Sequence, residues 1–130
     1  MKSIVKDRGY EFALRFVSLA RWLREWKEYE LASQVLRSGT SIGVNVEEAL
    51  AGVSRADFVA KMAIASKEAR ETHYWLRLLR DSKTVPDDRI VPLLDEAGQL
   101  VRIMTAIVKT SQSTSKLKTK TSQLRTGDRT

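Results

Sequence analysis

The chain has 130 residues, 42% of them hydrophobic, and a formal net charge of +7 at pH 7. That length suits one domain with a real core and is short for two. With no Cys and a single histidine, His73, the sequence excludes disulfides, thiolate metal sites and metal clusters built on several histidines.

No window approaches the roughly 18 consecutive apolar residues of a membrane span, and MKSIVKDRGYEF offers no apolar signal region ahead of the charged first helix. The expectation is a soluble, cytoplasmic protein without membrane contact. The positive charge is uneven. Residues 113–130, STSKLKTKTSQLRTGDRT, carry five Lys/Arg against one Asp, which leaves +3 for residues 1–112. With only two Leu to bury, that segment cannot offset the entropy of ordering and is predicted to be a disordered tail. It reads either as an electrostatic arm for nucleic acid or as a solubilising terminus, and charge composition by itself favours the second.

Residues 1–112 are expected to form four helices, over about 8–29, 31–52, 54–81 and 88–112. In the first, Phe12, Phe16, Leu19, Leu23 and Trp26 recur at alternating four- and three-residue steps, and Ala13, Val17 and Ala20 widen this core stripe. In the second, Leu31, Val35, Ser38, Ile42, Asn45 and Ala49 continue the spacing until Gly52 stops it. Lys27–Glu30 contains neither Gly nor Pro. A tight turn is predicted there, with one continuous long helix as the alternative. Ser54-Arg55-Ala56-Asp57 resembles a capping box and opens the third helix, whose stripe is Phe58, Met62, Ala65, Ala69, Thr72, Leu76 and Leu79. After KTVPDD the fourth carries Ile90, Leu93, Ala97, Leu100, Met104 and Ile107, and Pro92 places its regular start between Asp88 and Pro92. No strand alternation occurs. The fold class is therefore all-α, an up-down-up-down antiparallel four-helix bundle with left-handed packing at shallow angles; a long coiled-coil hairpin is the alternative.

The second helix is unusually polar for a packed one: SGTSIGVNVEEALAG at residues 38–52. Gly39 and Gly43 share a face and each costs about 1 kcal/mol relative to Ala in a helix interior. Close approach of another helix would offset that. Arg37, Ser41, Asn45 and Glu48 form a second row. If helices two and three fold back about Val53, Arg37 approaches Glu68 and Glu71, and Asn45 bonds across helices. This predicts a polar layer, inside the bundle or at a subunit boundary, that sets register and assembly. A carboxylate metal site from Glu48, Glu68 and Glu71 is disfavoured, because such bundles use a Glu-x-x-His motif on each of two helices, and His73 follows Glu71 by two residues onto another face. No metal and no cofactor are expected.

Helix three also presents Lys67, Arg70, His73, Arg77 and Arg80 beside its core stripe, a repeated cationic face suited to phosphate contacts without sequence readout. An ordinary solvated face is the bland alternative. Trp22 and Trp75 fall next to the stripes and suit burial against another subunit; Trp26 is assigned to the core. Catalysis has no support. Ser18, Ser33, Ser38, Ser41 and Ser66 lack a His–Asp partnership, and no glycine loop follows a strand.

The run LRSGTSIGVNVEEA (Leu36 to Ala49), followed by SRADFVAKMAIASKEARETHYWLRLL (Ser54 to Leu79), resembles the four-helix-bundle family of the 23S ribosomal-RNA intervening-sequence proteins. The likeness runs from about Val5 to Val108. It rests on Ser41-Ile42-Gly43 with Asn45 and Glu48, on Phe58, and on Glu68-Ala69-Arg70-Glu71-Thr72 with Trp75-Leu76. Val44 and Val46 depart mildly from the family pattern. The resemblance implies a homopentameric ring and a gene associated with insertions in ribosomal RNA, and a related branch accompanies reverse transcriptases. It establishes no activity. Two expectations follow: a non-enzymatic oligomer that binds structured RNA or another nucleic acid through basic helix faces, or a scaffold whose ring recruits a protein partner such as a reverse transcriptase.

Overall fold

The computed structural model describes residues 3–127, with side chains described through Thr114. Its elements are α1 (Ile4–Glu25), α2 (Tyr29–Ala51), α3 (Arg55–Asp81) and α4 (Asp87–Gly127), and no strand occurs among the described residues. Capping chemistry sets most of these bounds. Ser3 Oγ accepts from the Lys6 amide at 3.2 Å and starts α1 ahead of the periodic stripe. Ser54 Oγ accepts from the Asp57 amide at 3.1 Å and starts α3.

The α1–α2 junction is a turn and not a continuous helix. Lys27 takes a left-handed conformation (φ 63°), the Lys27 amide donates to the Arg24 carbonyl, and the Glu28 amide donates to the Leu23 carbonyl, each at 2.9 Å. This is a Schellman stop made without glycine. The same device ends α3, where Lys83 has φ 60° and the Thr84 amide reaches the Leu79 carbonyl at 3.1 Å. The early stop corrects the assignment of Trp26 to the core. Trp26 is the C-cap of α1, past the last helical residue, and is 67% exposed.

Helices adjacent in sequence pack on each other. Their partners run in opposite directions: Gly9 meets Gly43 while Phe16 meets Gly39, Ser38 meets Thr72 while Glu48 meets Lys61, and Arg70 meets Thr105. The bundle closes where Arg8 on α1 donates to Glu96 (2.9 Å) and Gln99 (2.8 Å) on α4. The core is the set of stripes: Phe12, Phe16, Leu19 and Leu23; Val35, Ile42 and Ala49; Met62, Ala65, Ala69, Leu76 and Leu79; Ile90, Leu93, Ala97, Leu100 and Met104. Phe58 and Ile107, at the stripe ends, are only partly buried.

Two glycines of α2 pack differently. A Cβ on Gly43 would lie 3.1 Å from the Gly9 carbonyl oxygen, so α1 and α2 cross there backbone to backbone. A Cβ on Gly39 would lie 2.2 Å from Phe16 Cγ. Gly39 therefore receives an aromatic ring and not the neighbouring backbone.

α4 differs from its expected extent at both ends. It starts at Asp87, after Pro86, with Pro92 inside; the amide that Pro92 lacks would have bonded the carbonyl of Asp88, an exposed residue. At the other end, composition predicts an unstructured tail from residue 113, but the backbone stays helical to Gly127. No Gly or Pro interrupts residues 99–126, so local chemistry offers the helix no stop. The side chains of the basic arm beyond Thr114, and residues 128–130, lie outside the described residues.

Candidate nucleic-acid interface

Helix α3 is amphipathic in an unusual sense, because its two flanking faces carry different electrostatics. Toward α2, Arg37 donates to Glu71 at 2.7 Å and lies 3.6 Å from Glu68. Ser41 Oγ lies 2.8 Å from the Ser38 carbonyl and 3.2 Å from Glu68 Oε2, sharing one proton between them. Beneath them Ser38 and Thr72, both fully buried, are hydrogen-bonded. Thr72 gives its own proton to the Glu68 carbonyl at 2.7 Å, so Ser38 is the donor to Thr72. Burial pushes the Glu71 carboxyl up, but hydrogen bonds with Glu68 and Arg37, and the charge of Arg37, hold it below the ordinary carboxylate range.

Two members of the expected polar row stand apart from this seam. Asn45 does not bond across helices; its Nδ2 donates to the Ser41 carbonyl one turn back on α2, at 2.9 Å. An amide so close to an unused lone pair of its own helix satisfies itself locally. Glu48 is exposed and pairs with Lys61 at 2.8 Å. Glu48, Glu68 and Glu71 thus do not converge, and among the described residues no three His, Asp or Glu side chains form a group able to hold a metal.

Toward α4, the expected cationic stripe becomes one wall of a groove. Arg70, His73, Arg77 and Arg80 face Leu94, Asp95, Gly98, Gln99, Val101 and Arg102 across it. Lys67, one turn further toward the start of α3, is exposed but does not line the groove. Arg70 reaches Thr105 Oγ1 only at 3.4 Å, and the Arg77 guanidinium sits 5.6 Å from the Tyr74 ring centroid. Among the described residues Arg70, Arg77 and Arg102 make no ion pair; Arg80 bonds its neighbour Asp81 through Nε at 2.8 Å. Burial lowers the His73 pKa, and the charges of Arg77 and Arg80 lower it further, so the neutral ring is favoured.

Arg102 and Gly98 carry no signal in the sequence. They belong to a row of small and polar residues, Gly98, Arg102 and Thr105, that becomes informative only once the α3–α4 register sets it opposite the α3 cations. The two tryptophans offered as interface anchors are both half-buried. Arg89 from α4 lies over Trp22, 5.4 Å from its ring, and the Trp75 indole N–H is buried near the Glu71 carboxyl, which it helps to hold down without making a hydrogen bond of full geometry.

The family model of the 23S rRNA-intervening sequence protein matches residues 1–106, a span that holds every residue of the seam and the groove. The chain belongs to that family. A crystal structure of a protein of unknown function from the S23 ribosomal protein family of Bacteroides thetaiotaomicron is similar to it, with a TM-score of 0.78 and 42% sequence identity. The similarity covers 82% of this chain and 99% of that one. No curated protein matches the chain. No helix among the described residues is long and apolar enough to cross a membrane.

Proposed function

We propose that this member of the 23S rRNA-intervening sequence protein family is a non-enzymatic, cytoplasmic homo-oligomer that holds structured RNA by its phosphate backbone along the α3–α4 groove. The observation that carries the reading is the set of three arginines, Arg70, Arg77 and Arg102, facing one groove with no carboxylate paired to any of them among the described residues. Guanidinium groups left unpaired on one surface concentrate a polyanion and release its counterions as it binds. A homopentameric ring would repeat the groove around its axis and raise avidity without new chemistry.

The test is binding of a labelled RNA hairpin over a range of salt, with the oligomer mass followed by light scattering. The protein binds at low salt, and affinity falls steeply as salt rises. Arg70→Glu with Arg77→Glu lowers affinity at least tenfold and reduces the salt slope by about one unit for each phosphate that is no longer neutralised, at unchanged mass. Hairpin affinity indifferent to both salt and charge reversal rejects the reading.

A second reading, a scaffold that recruits a protein, is favoured by exposed apolar residues beside the Gly9–Gly43 crossing. Tyr10 (59%) and Leu14 (54%), one turn apart on α1, and Val44 (55%) on α2 are open to solvent. Such a face suits a second copy of the chain or a partner protein.

A further inference from the structure

The groove does not end at the last turn of α3. Arg80 lines it and also lines a second opening at the end of the bundle, an open cleft of about 680 Å³ walled by Trp22 and Trp26 on one side and by the Lys83–Asp87 loop on the other. That size falls in the range of roughly 300–1,000 Å³ typical of small-molecule sites. Two features set the cleft apart from an ordinary loop surface. Trp26 is a large aromatic left 67% exposed, tilted 48° against Trp22 with ring centroids 5.9 Å apart. Trp22 already has the Arg89 guanidinium over its ring, which leaves Trp26 as the open stacking surface.

The polar groups around this surface are of both signs. Arg80, which also lines the groove, and Lys83 line the cleft together with Glu28 and Asp87. Asp81 engages Arg80 through Nε at 2.8 Å, and the charge of Asp87 also acts on this guanidinium. A ligand matched to this set has a flat π-face, ring-edge N–H donors for the carboxylates, and an attached phosphate for the cations. We infer that the cleft takes an unpaired nucleobase, stacked on Trp26, of an RNA strand whose paired region lies in the α3–α4 groove. This rests on the groove reading above and specifies its ligand: a duplex with a single-stranded extension, not a blunt duplex.

The experiment compares three RNAs on the full chain: a blunt hairpin, the same hairpin with a single-stranded overhang, and the hairpin with an abasic overhang of equal phosphate count. Base–aromatic stacking strengthens binding by roughly tenfold per base, so the base-bearing overhang binds about tenfold tighter than the abasic one. Trp26→Ala brings that ratio to about one and leaves blunt-hairpin affinity unchanged; Trp26 is exposed, and circular dichroism checks that the variant folds. Arg70→Glu with Arg77→Glu weakens all three RNAs and preserves the ratio. If the hairpin binds but wild type shows no preference for bases over abasic sites, the inference is wrong and the groove reading survives. If no RNA binds, both fall. A change of oligomer mass on Trp26→Ala also overturns it, since Trp26 would then be a subunit contact.

Discussion

The two flanks of α3 use the same residue types for opposite ends. On the α2 side, Arg37 is answered by Glu68 and Glu71, and the layer beneath is closed by Ser38 and Thr72. On the α4 side, Arg70, Arg77 and Arg102 make no ion pair among the described residues, although Asp95 lines the same groove, and the packing opens there with Gly98 on its wall. A cation whose partner is inside the fold holds the fold, whereas a cation without one keeps its field for something outside. The α1–α2 and α2–α3 seams are thus where changes should register as stability, and the α3–α4 groove is where they should register as binding.

The sharpest way to break that division is to disturb the closed side. Gly39→Ala puts a methyl 2.2 Å from Phe16 Cγ, on a ring that is fully buried and cannot swing away. Overpacking of this kind costs about 1–3 kcal/mol and occasionally more, against about 1 kcal/mol regained in helix propensity. A clash this close stands at the upper end of that range, so the net expectation is a loss of about 2 kcal/mol, seen as a lower denaturant midpoint at fixed protein concentration. Phe16→Leu in the same chain should recover part of it. Gly43→Ala, where the approach is 3.1 Å, should cost less. Equal losses at both positions would mean that the ring does not decide the difference.

A loss of comparable size is expected in the polar layer. Thr72→Val keeps the shape but leaves the buried Ser38 hydroxyl without its acceptor, a loss of about 1–3 kcal/mol. Ser38→Ala added to Thr72→Val should recover most of the loss, because an apolar pair leaves nothing unsatisfied. RNA affinity should be unaffected by all of these variants that fold. If Thr72→Val weakened RNA binding without lowering the denaturation midpoint, the separation of seam from groove would be wrong.

Much of this division is written in the sequence. The core stripes follow from spacing alone, and Arg37 reaches Glu71 because folding back about Val53 sets them level. What spacing cannot carry is termination without glycine or proline. Lys27 and Lys83 adopt a conformation that costs an L-residue about 1–2 kcal/mol, so turns are expected at Lys27–Glu30 and at KTVPDD but nothing local announces the residue at which α1 stops, and Trp26 fits the spacing of a stripe that has already ended. Asn45 departs from its expected cross-helix bond because a side-chain amide can satisfy itself on its own helix, and Arg102 acquires meaning only opposite Arg70 and Arg77. Spacing reports which residues share a face; the other wall of a groove is tertiary information.

The weakest expected signal tests the groove by proton linkage. His73 has a lowered pKa, first from burial and then from Arg77 and Arg80. In the free protein, the contribution of this group to stability is complete above its unfolded value near 6.5 and declines as pH falls below it, because the unfolded chain takes up the proton more readily. Phosphate in the groove reverses the sign locally: an anion beside the ring favours imidazolium, so binding takes up a proton and RNA affinity rises on acidification. Acidification should therefore weaken the free fold slightly while strengthening the complex, by less than about one decade in affinity if the shift is a single pKa unit. His73→Gln should remove both trends. If RNA affinity instead fell with pH, or kept its pH dependence in His73→Gln, the phosphate would lie away from His73, and phosphate binding in the groove would belong to the arginines alone.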